Sequence, residues 1–409
     1  MHNKRKIIND PVYGFITIPS ELVYEVIQHP YFQRLRRINQ LGMAEFVYPG
    51  AKHTRFQHAL GAMHLMGQAL QTLKSKNLTI SNHEIVSAQI AILLHDLGHG
   101  PFSHVLEHHL LEKIPHEWLS EQLMQEINKD LDGALDLAVS MFNGTYERPF
   151  FHQLISSQLD MDRMDYLRRD SFFTGVVEGT IGVERIIKML QVVDNQLVVE
   201  EKGLLSVENF LNARRLMYWQ VYLHKTAIAA ESMLVLLLNR VRFLLKNGAT
   251  VPVVGPLKNF LTATFSQNDF LQNPSLLALF ASLDDIDIWM NIKEWAHAED
   301  VILKDIARKL LERKLYKIEL FNEPISAFRR EELSELLLSK GITEETLPYY
   351  LREGSVSNKG YIPENSHILI VRKDGTCQDM ADASDLPTIK ALSHIVKKYY
   401  LCYTNPLYL

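Results

Sequence analysis

The sequence predicts a mostly α protein with a small α+β region towards its C-terminal end. Three observations carry that expectation. Apolar residues recur at three-to-four-residue spacing through most of the first 314 positions. Beyond a short stretch at 11–19, only three runs look β-rich, at 192–199, 316–321 and 367–372. The pattern changes near Leu315, so a helical domain with a small β-hairpin is expected over 1–314 and an α+β region over 315–409.

In chain order, Pro11 to Pro19 alternates loosely and reads as a short strand or hairpin arm, and Ser20-Glu21 caps a helix from Leu22 to Gln28. Pro30 restarts the chain for a helix from Tyr31 to Leu41, with Arg34, Arg36 and Arg37 between its apolar positions as a solvated face. Helices follow from Arg55 to Leu73, Glu84 to His95, His104 to Leu111, His116 to Asn128, Leu131 to Phe142 and Phe151 to Arg169. Asp194-Asn195 supplies the turn of a hairpin over 192–199. A long helix is expected from Ser206 to Leu223 and on towards Leu245, then helices at 257–265, 275–283, 285–296 and 300–313. The tail reads as a strand (316–321), a helix (331–339), a β-rich run (367–372) and a last helix from Thr388 to Tyr400.

The 409 residues are 47% hydrophobic and 22% charged, ordinary for a globular protein. A net charge of -5 gives no broad basic field, so nucleic acid is not favoured as the main partner. Cys377 and Cys402 are the only cysteines, which excludes a disulfide scaffold and a cysteine-based zinc site. The N-terminus lacks the apolar stretch of a secretory signal, and a cytoplasmic protein is expected.

The densest chemistry lies in ILLHDLGHGPFSH, Ile92 to His104. An apolar helix runs into His95-Asp96, a Gly/Pro break follows, and three histidines and an aspartate fall within ten residues. Alone, this fits a metal site and a His-rich helix end equally well, because imidazole near a C-terminus also meets the helix dipole favourably. Distant partners bear on the choice. Arg55 and His58 share a helix face, and Asp160, Asp162 and Asp165 crowd a helix that Met161, Met164 and Leu167 mark as packed on most sides. Acids on such a helix need partners or a metal, although Asp-Arg pairs at helical spacing are more often surface ion pairs. His58, His95, Asp96 and Asp162 together offer two nitrogens and two oxygens, a set suited to Mn, Fe, Co, Ni or Zn.

A histidine, then His-Asp, then a distant aspartate resembles the HD phosphohydrolase superfamily. Five blocks in the same order resemble its deoxynucleoside triphosphate triphosphohydrolase branch, which includes the vertebrate enzyme with a SAM domain ahead of its HD domain. The blocks are QRLRRINQLG, HTRFQHALG, HDLGHGPFSH, DMDRMDYLRRD and YLHK, within roughly residues 10 to 320. The resemblance implies an HD-type helical core, with His58, His95, Asp96 and Asp162 as metal ligands and Mg accompanying the triphosphate. It places Arg55, His99, His104, His116 and Asp160 around the α-phosphate as catalytic residues. Asp160 with His99 and His116 would orient the attacking water, and His104 would serve the leaving oxygen. Arg55, Arg163 and Arg214 would hold phosphate oxygens, with arginine at 163 where the vertebrate enzyme has lysine. Gln40 and Asp170 match positions that hold the sugar 3′-hydroxyl, Tyr166 and Tyr222 crowd the 2′ carbon, and Leu41 joins the substrate-binding set.

A regulatory nucleotide site is implied at Gln33, Arg36, Arg185, Arg313 and Lys317, in a homo-oligomer (dimer or tetramer). The aspartate that the branch carries before the proline of the second helix is replaced by Gln28-His29, which removes the basis for expecting guanine-specific activation. The expected function is metal-dependent hydrolysis of deoxynucleoside triphosphates to deoxynucleoside and tripolyphosphate. The rival readings are an HD nucleotidase or phosphodiesterase acting on nucleoside monophosphates or cyclic nucleotides, and a non-catalytic binder of nucleotides or single-stranded nucleic acid.

Overall fold

The computed structural model describes residues 6–102, 109–111, 114–358, 361, 367–392 and 395–408. The expected helix from His104 to Leu111 falls largely outside these residues, and His104 lies outside them altogether. The fold is mainly helical, with three small sheets. A hairpin, β1 (Ile7–Asp10) and β2 (Gly14–Thr17), leads into α1 (Glu21–Gln28), where the Ser20 hydroxyl accepts from Val23 N as N-cap.

The site-bearing helices follow. They are α2 (Arg55–Ser75), α3 (Asn82–Leu94), α4 (His116–Asp130) and α5 (Met161–Thr174). Capping boxes at Thr54/Gln57 and Ser81/Glu84 start α2 and α3. Two glycines permit the packing. A Cβ on Gly61 would land on Asp165 and Arg169 of α5, and one on Gly98 would strike the backbone of His116 and Ser120 in α4.

Downstream, β3 (Leu190–Val193) and β4 (Gln196–Glu200) form the expected hairpin, with Asp194 and Asn195 both at positive φ. The hairpin widens into a four-stranded sheet, because β4 pairs parallel with a strand at Leu369–Val371, which pairs in turn with Cys377–Asp379. The helix α6 (Leu204–Met217) passes through a π-helical turn at Tyr218–Tyr222 and restarts as α7 (Lys225–Lys246). In the tail, β5 (Lys317–Phe321) and β6 (Leu351–Asn358) flank β7 (Val396–Tyr403). One apolar cluster holds residues from both sides of position 314, among them Leu93, Leu237, Ile370 and Cys402. Among the described residues no helix is long and apolar enough to cross a membrane.

Three local expectations are corrected. The segment 31–41 is two short helical turns, Pro30–Gln33 and Arg34–Arg37, and Asn39 then bridges Thr54. Arg34 is buried rather than solvated, donating to the carbonyls of Leu283 (2.7 Å) and Leu97 (3.2 Å). Residues 151–169 are not one helix. The first helix ends at Ile155, and Asp160 accepts from the backbone N–H groups of Ser157 and Arg163 (both 2.7 Å), starting a new helix as its N-cap. Of 388–400, only Pro387–Ala391 is helical, and 396–400 belong to β7. There β-branched and aromatic residues fill a central strand paired on both edges.

Candidate active site

Four chain segments converge. α2 carries Arg55 and His58 in its first turn. His95 and Asp96 end α3, His116 begins α4, and Asp162 lies in the first turn of α5. His58 Nε2 is 3.1 Å from Asp162 Oδ1 and 3.7 Å from Asp96 Oδ2. His95 Nε2 is 3.3 Å from Asp162 Oδ1 and 3.2 Å from Asp96 Oδ1. His58, His95 and Asp162 thus form one group whose ligand atoms could share an ion, while Asp96, within 3.7 Å of both imidazoles, groups with His99 and His116.

Their outer contacts fix the direction of the rings. His58 Nδ1 lies 2.8 Å from the buried Asp165 carboxylate, and His95 Nδ1 lies 2.6 Å from the Ile92 carbonyl. Protons on those Nδ1 atoms leave both Nε2 lone pairs aimed inward, where neither atom makes an aligned hydrogen bond. Buried, unsatisfied imidazole nitrogens beside the Asp162 carboxylate are a donor set that suits a divalent cation.

The electrostatics agree. Burial opposes charge on His58, but the Asp162 and Asp165 carboxylates outweigh it and push the imidazole up to about 10. His95 is raised against burial by Asp96 and Asp162. Burial opposes charge on the two acids as well. His95 and Arg55 nevertheless hold Asp96 well below the usual carboxylate range, and His58 and His95 hold Asp162 below it. The cluster is one that attracts positive charge.

Arg55 pairs with Asp96, and His99 Nε2 lies 3.3 Å from Asp96 Oδ1. The His99 and His116 rings stack at 3.8 Å. Burial and the Arg55 charge push His99 well below 6.5, so it is neutral near pH 7. Asp160 is fully buried and paired with Arg163. It caps α5 and is not among the residues that line the cavity.

All this opens on one cavity of about 1230 Å³, lined among others by Arg55, His99, His116, Asp162 and Arg163. Gln40, Leu41, Tyr166, Asp170 and Tyr222 line it as well. Asp170 accepts from the Tyr222 hydroxyl (2.7 Å), and its other oxygen is 2.7 Å from His53 Nε2. The Tyr166 and Tyr222 rings meet edge to face at 6.1 Å. Arg214 is buried, donates to Gln158 (2.9 Å) and is not among the lining residues. Of the regulatory set, Arg36 donates to Gln33 (2.8 Å), Arg185 to the Lys202 carbonyl and Arg313 to the Phe46 carbonyl, while Lys317 is exposed on β5. Among the described residues no hydrogen bond or ion pair joins those last three to Gln33 or Arg36.

Sequence reasoning missed His53, which supports Asp170, and Glu231, His109 and Arg352, which line the cavity. It noted Asp165 only as a neighbour of Asp162 and Arg169. A visible signal existed for Glu231, a lone acid inside the apolar run AIAAESMLVLLL.

The HD domain model matches residues 55–170, and that of the HD associated region matches 181–249. The uncharacterized protein YwfO of Bacillus subtilis is 32% identical over 368 residues, spanning 88% of this chain and 81% of its own length. Human deoxynucleoside triphosphate triphosphohydrolase SAMHD1 is 30% identical over 273 residues, 56% of this chain. The match spans only 43% of SAMHD1 itself. The crystal structure of a phosphohydrolase from Bacteroides thetaiotaomicron superposes with a TM-score of 0.94 at 49% identity, covering 98% of this chain and 100% of that one.

Proposed function

The chain belongs to the HD-domain phosphohydrolases, and on that premise we propose that it hydrolyses deoxynucleoside triphosphates to deoxynucleoside and tripolyphosphate. The observation that carries the proposal is one cavity lined together by His95, Asp96 and Asp162 of the His/Asp cluster, by Arg55 and Arg163, and by the Asp170–Tyr222 pair.

His58, His95, Asp96 and Asp162 would hold a divalent ion, which would supply Lewis-acid charge at the α-phosphate and lower the pKa of water. Arg55 and Arg163 neutralise phosphate oxygens. Neutral His99, stacked on His116, accepts a hydrogen bond from the attacking water, and His104 protonates the leaving 5′ oxygen. Asp160 acts through Arg163, fixing the guanidinium at the cavity wall. Asp170 and Gln40 receive the 3′-hydroxyl, supported by His53. Tyr166 and Tyr222 close the space at the 2′ carbon, a steric reason to prefer deoxyribose. Gln33 and Arg36 meet Arg185, Arg313 and Lys317 across subunits of a homo-oligomer as a nucleotide-binding interface, which size-exclusion with and without nucleotide tests.

The catalytic proposal is tested with each dNTP and Mn or Mg. Chromatography should resolve tripolyphosphate and deoxynucleoside. Monophosphate with pyrophosphate would transfer the chain to the nucleotidase or phosphodiesterase class.

A further inference from the structure

The same cavity is also lined by Leu41, Ile228, Glu231, Val235, Arg352 and Tyr400. Arg352 is the cross-strand partner of Cys402, which bonds Ser232 beside Glu231. Glu231 and Arg352 are ionisable, and neither has a hydrogen-bond or ion-pair partner among the described residues. Glu231 sits on α7 between Ile228 and Val235, three and four residues away on one helix face. Its carboxyl makes no hydrogen bond or ion pair among the described residues, and burial alone pushes it up to about 8. A Cβ added at Gly42 would come within 3.9 Å of Glu231 Oε1, which sets the carboxyl just past the Gln40-Leu41 edge of the sugar site. Arg352, half-buried on β6, likewise makes no hydrogen bond or ion pair among the described residues, and it does not bridge to Glu231. A buried, unpaired carboxyl costs stability unless a ligand supplies its partners, and the half-buried Arg352 guanidinium offers its donors to the same ligand.

From this geometry we infer that Glu231 and Arg352 read the nucleobase and select guanine. The inference rests on the nucleotide-hydrolase reading of the same cavity. Two adjacent donors favour the ionised form of the buried Glu231 carboxyl and fill both its oxygens, and guanine's N1–H and N2–H₂ are the only such pair on a base's pairing edge. A guanidinium asks for two adjacent acceptors, which guanine offers at O6 and N7 on the neighbouring edge. Adenine and cytosine put an acceptor beside their single donor group, and thymine sets one N–H between two carbonyls. Each would leave an ionised Glu231 with an unmatched oxygen, and none offers Arg352 two acceptors on the neighbouring edge. Leu41, Ile228 and Val235 supply the apolar surface against which a flat base packs.

The test is calorimetric binding of the four deoxynucleosides to the metal-loaded full chain, with Glu231→Gln and Arg352→Met as variants. Binding of the nucleoside needs no turnover, so the outcome does not depend on the reaction. Deoxyguanosine should bind tightest, and each variant should lose about tenfold or more of that preference while the other three nucleosides change little. Folding of the variants is checked by their retained metal content. Wild-type chain that binds all four nucleosides alike, or binds none, overturns the inference, as does a Glu231→Gln chain with the preference intact. Equal turnover of all four dNTPs would remove base selection and leave the hydrolase reading standing. Selective deoxyguanosine binding without any dNTP turnover would do the opposite.

Discussion

His58 shows in one side chain how the site is built. One ring nitrogen faces Asp165 and the other faces Asp96 and Asp162, so the orientation of the inner nitrogen depends on a carboxylate that never touches the cavity. Asp165→Asn should therefore lower metal affinity about 10- to 100-fold with the inner ligands intact, as read by metal titration. Asp96→Ala should remove both metal and turnover. His116→Ala should keep the metal, by elemental analysis, while turnover falls about 10²- to 10⁴-fold. If metal is lost equally from the Asp96 and His116 variants, ligand and phosphate roles are not divided as proposed. At this scale the converging residues were legible in short motifs, with His95-Asp96 beside a Gly/Pro break. Arg34 was not, because RLRR reads as a solvated face until its buried carbonyl partners from 63 and 249 residues away are seen. Glu231 was not either, since a single acid on an apolar helix has no motif around it.

At the scale of elements, the contact between α2 and α5 brings His58 to Asp162. Gly61 is its tightest point, where a side chain would displace the Asp165–Arg169 pair. Gly61→Ala should lower the melting temperature and weaken metal binding together, because the colliding group is the one that orients His58. An unchanged melting temperature with full metal content would show that the helices can part without cost. The start of α1 was readable from its cap at Ser20, whereas the capping boxes at Ser81 and Thr54 were not read. Two elements were misread for opposite reasons. The break at 156–160 arises when Asp160 turns its carboxylate to backbone N–H groups, a local competition that helical periodicity hides. The strand Val396–Tyr403 follows helix Pro387–Ala391 so closely that only its long-range pairing with β5 and β6 separates the two.

Across the whole molecule, the helical part and the tail share an apolar cluster, the parallel pairing of β4 with Leu369–Val371, and the cavity to which Arg352 and Tyr400 contribute. Calorimetric unfolding should accordingly show one cooperative transition, and two resolved transitions would contradict the shared core. A saturating divalent ion should raise the melting temperature, since an ion at a hundred times its dissociation constant adds about 2.7 kcal/mol to the folded state. The mostly α class was legible from apolar spacing. The joining of a mid-chain hairpin to tail strands was not, because parallel pairing across some 170 residues leaves no local mark. The central claim is that this cavity cleaves at the α-phosphorus of a deoxynucleoside triphosphate. Its most direct test is turnover of dGTP by metal-loaded protein in ¹⁸O-water, with products resolved by mass spectrometry. Tripolyphosphate carrying one ¹⁸O atom beside unlabelled deoxyguanosine is the expected result. Labelled deoxyguanosine, deoxyguanosine monophosphate with pyrophosphate, or no turnover would contradict it.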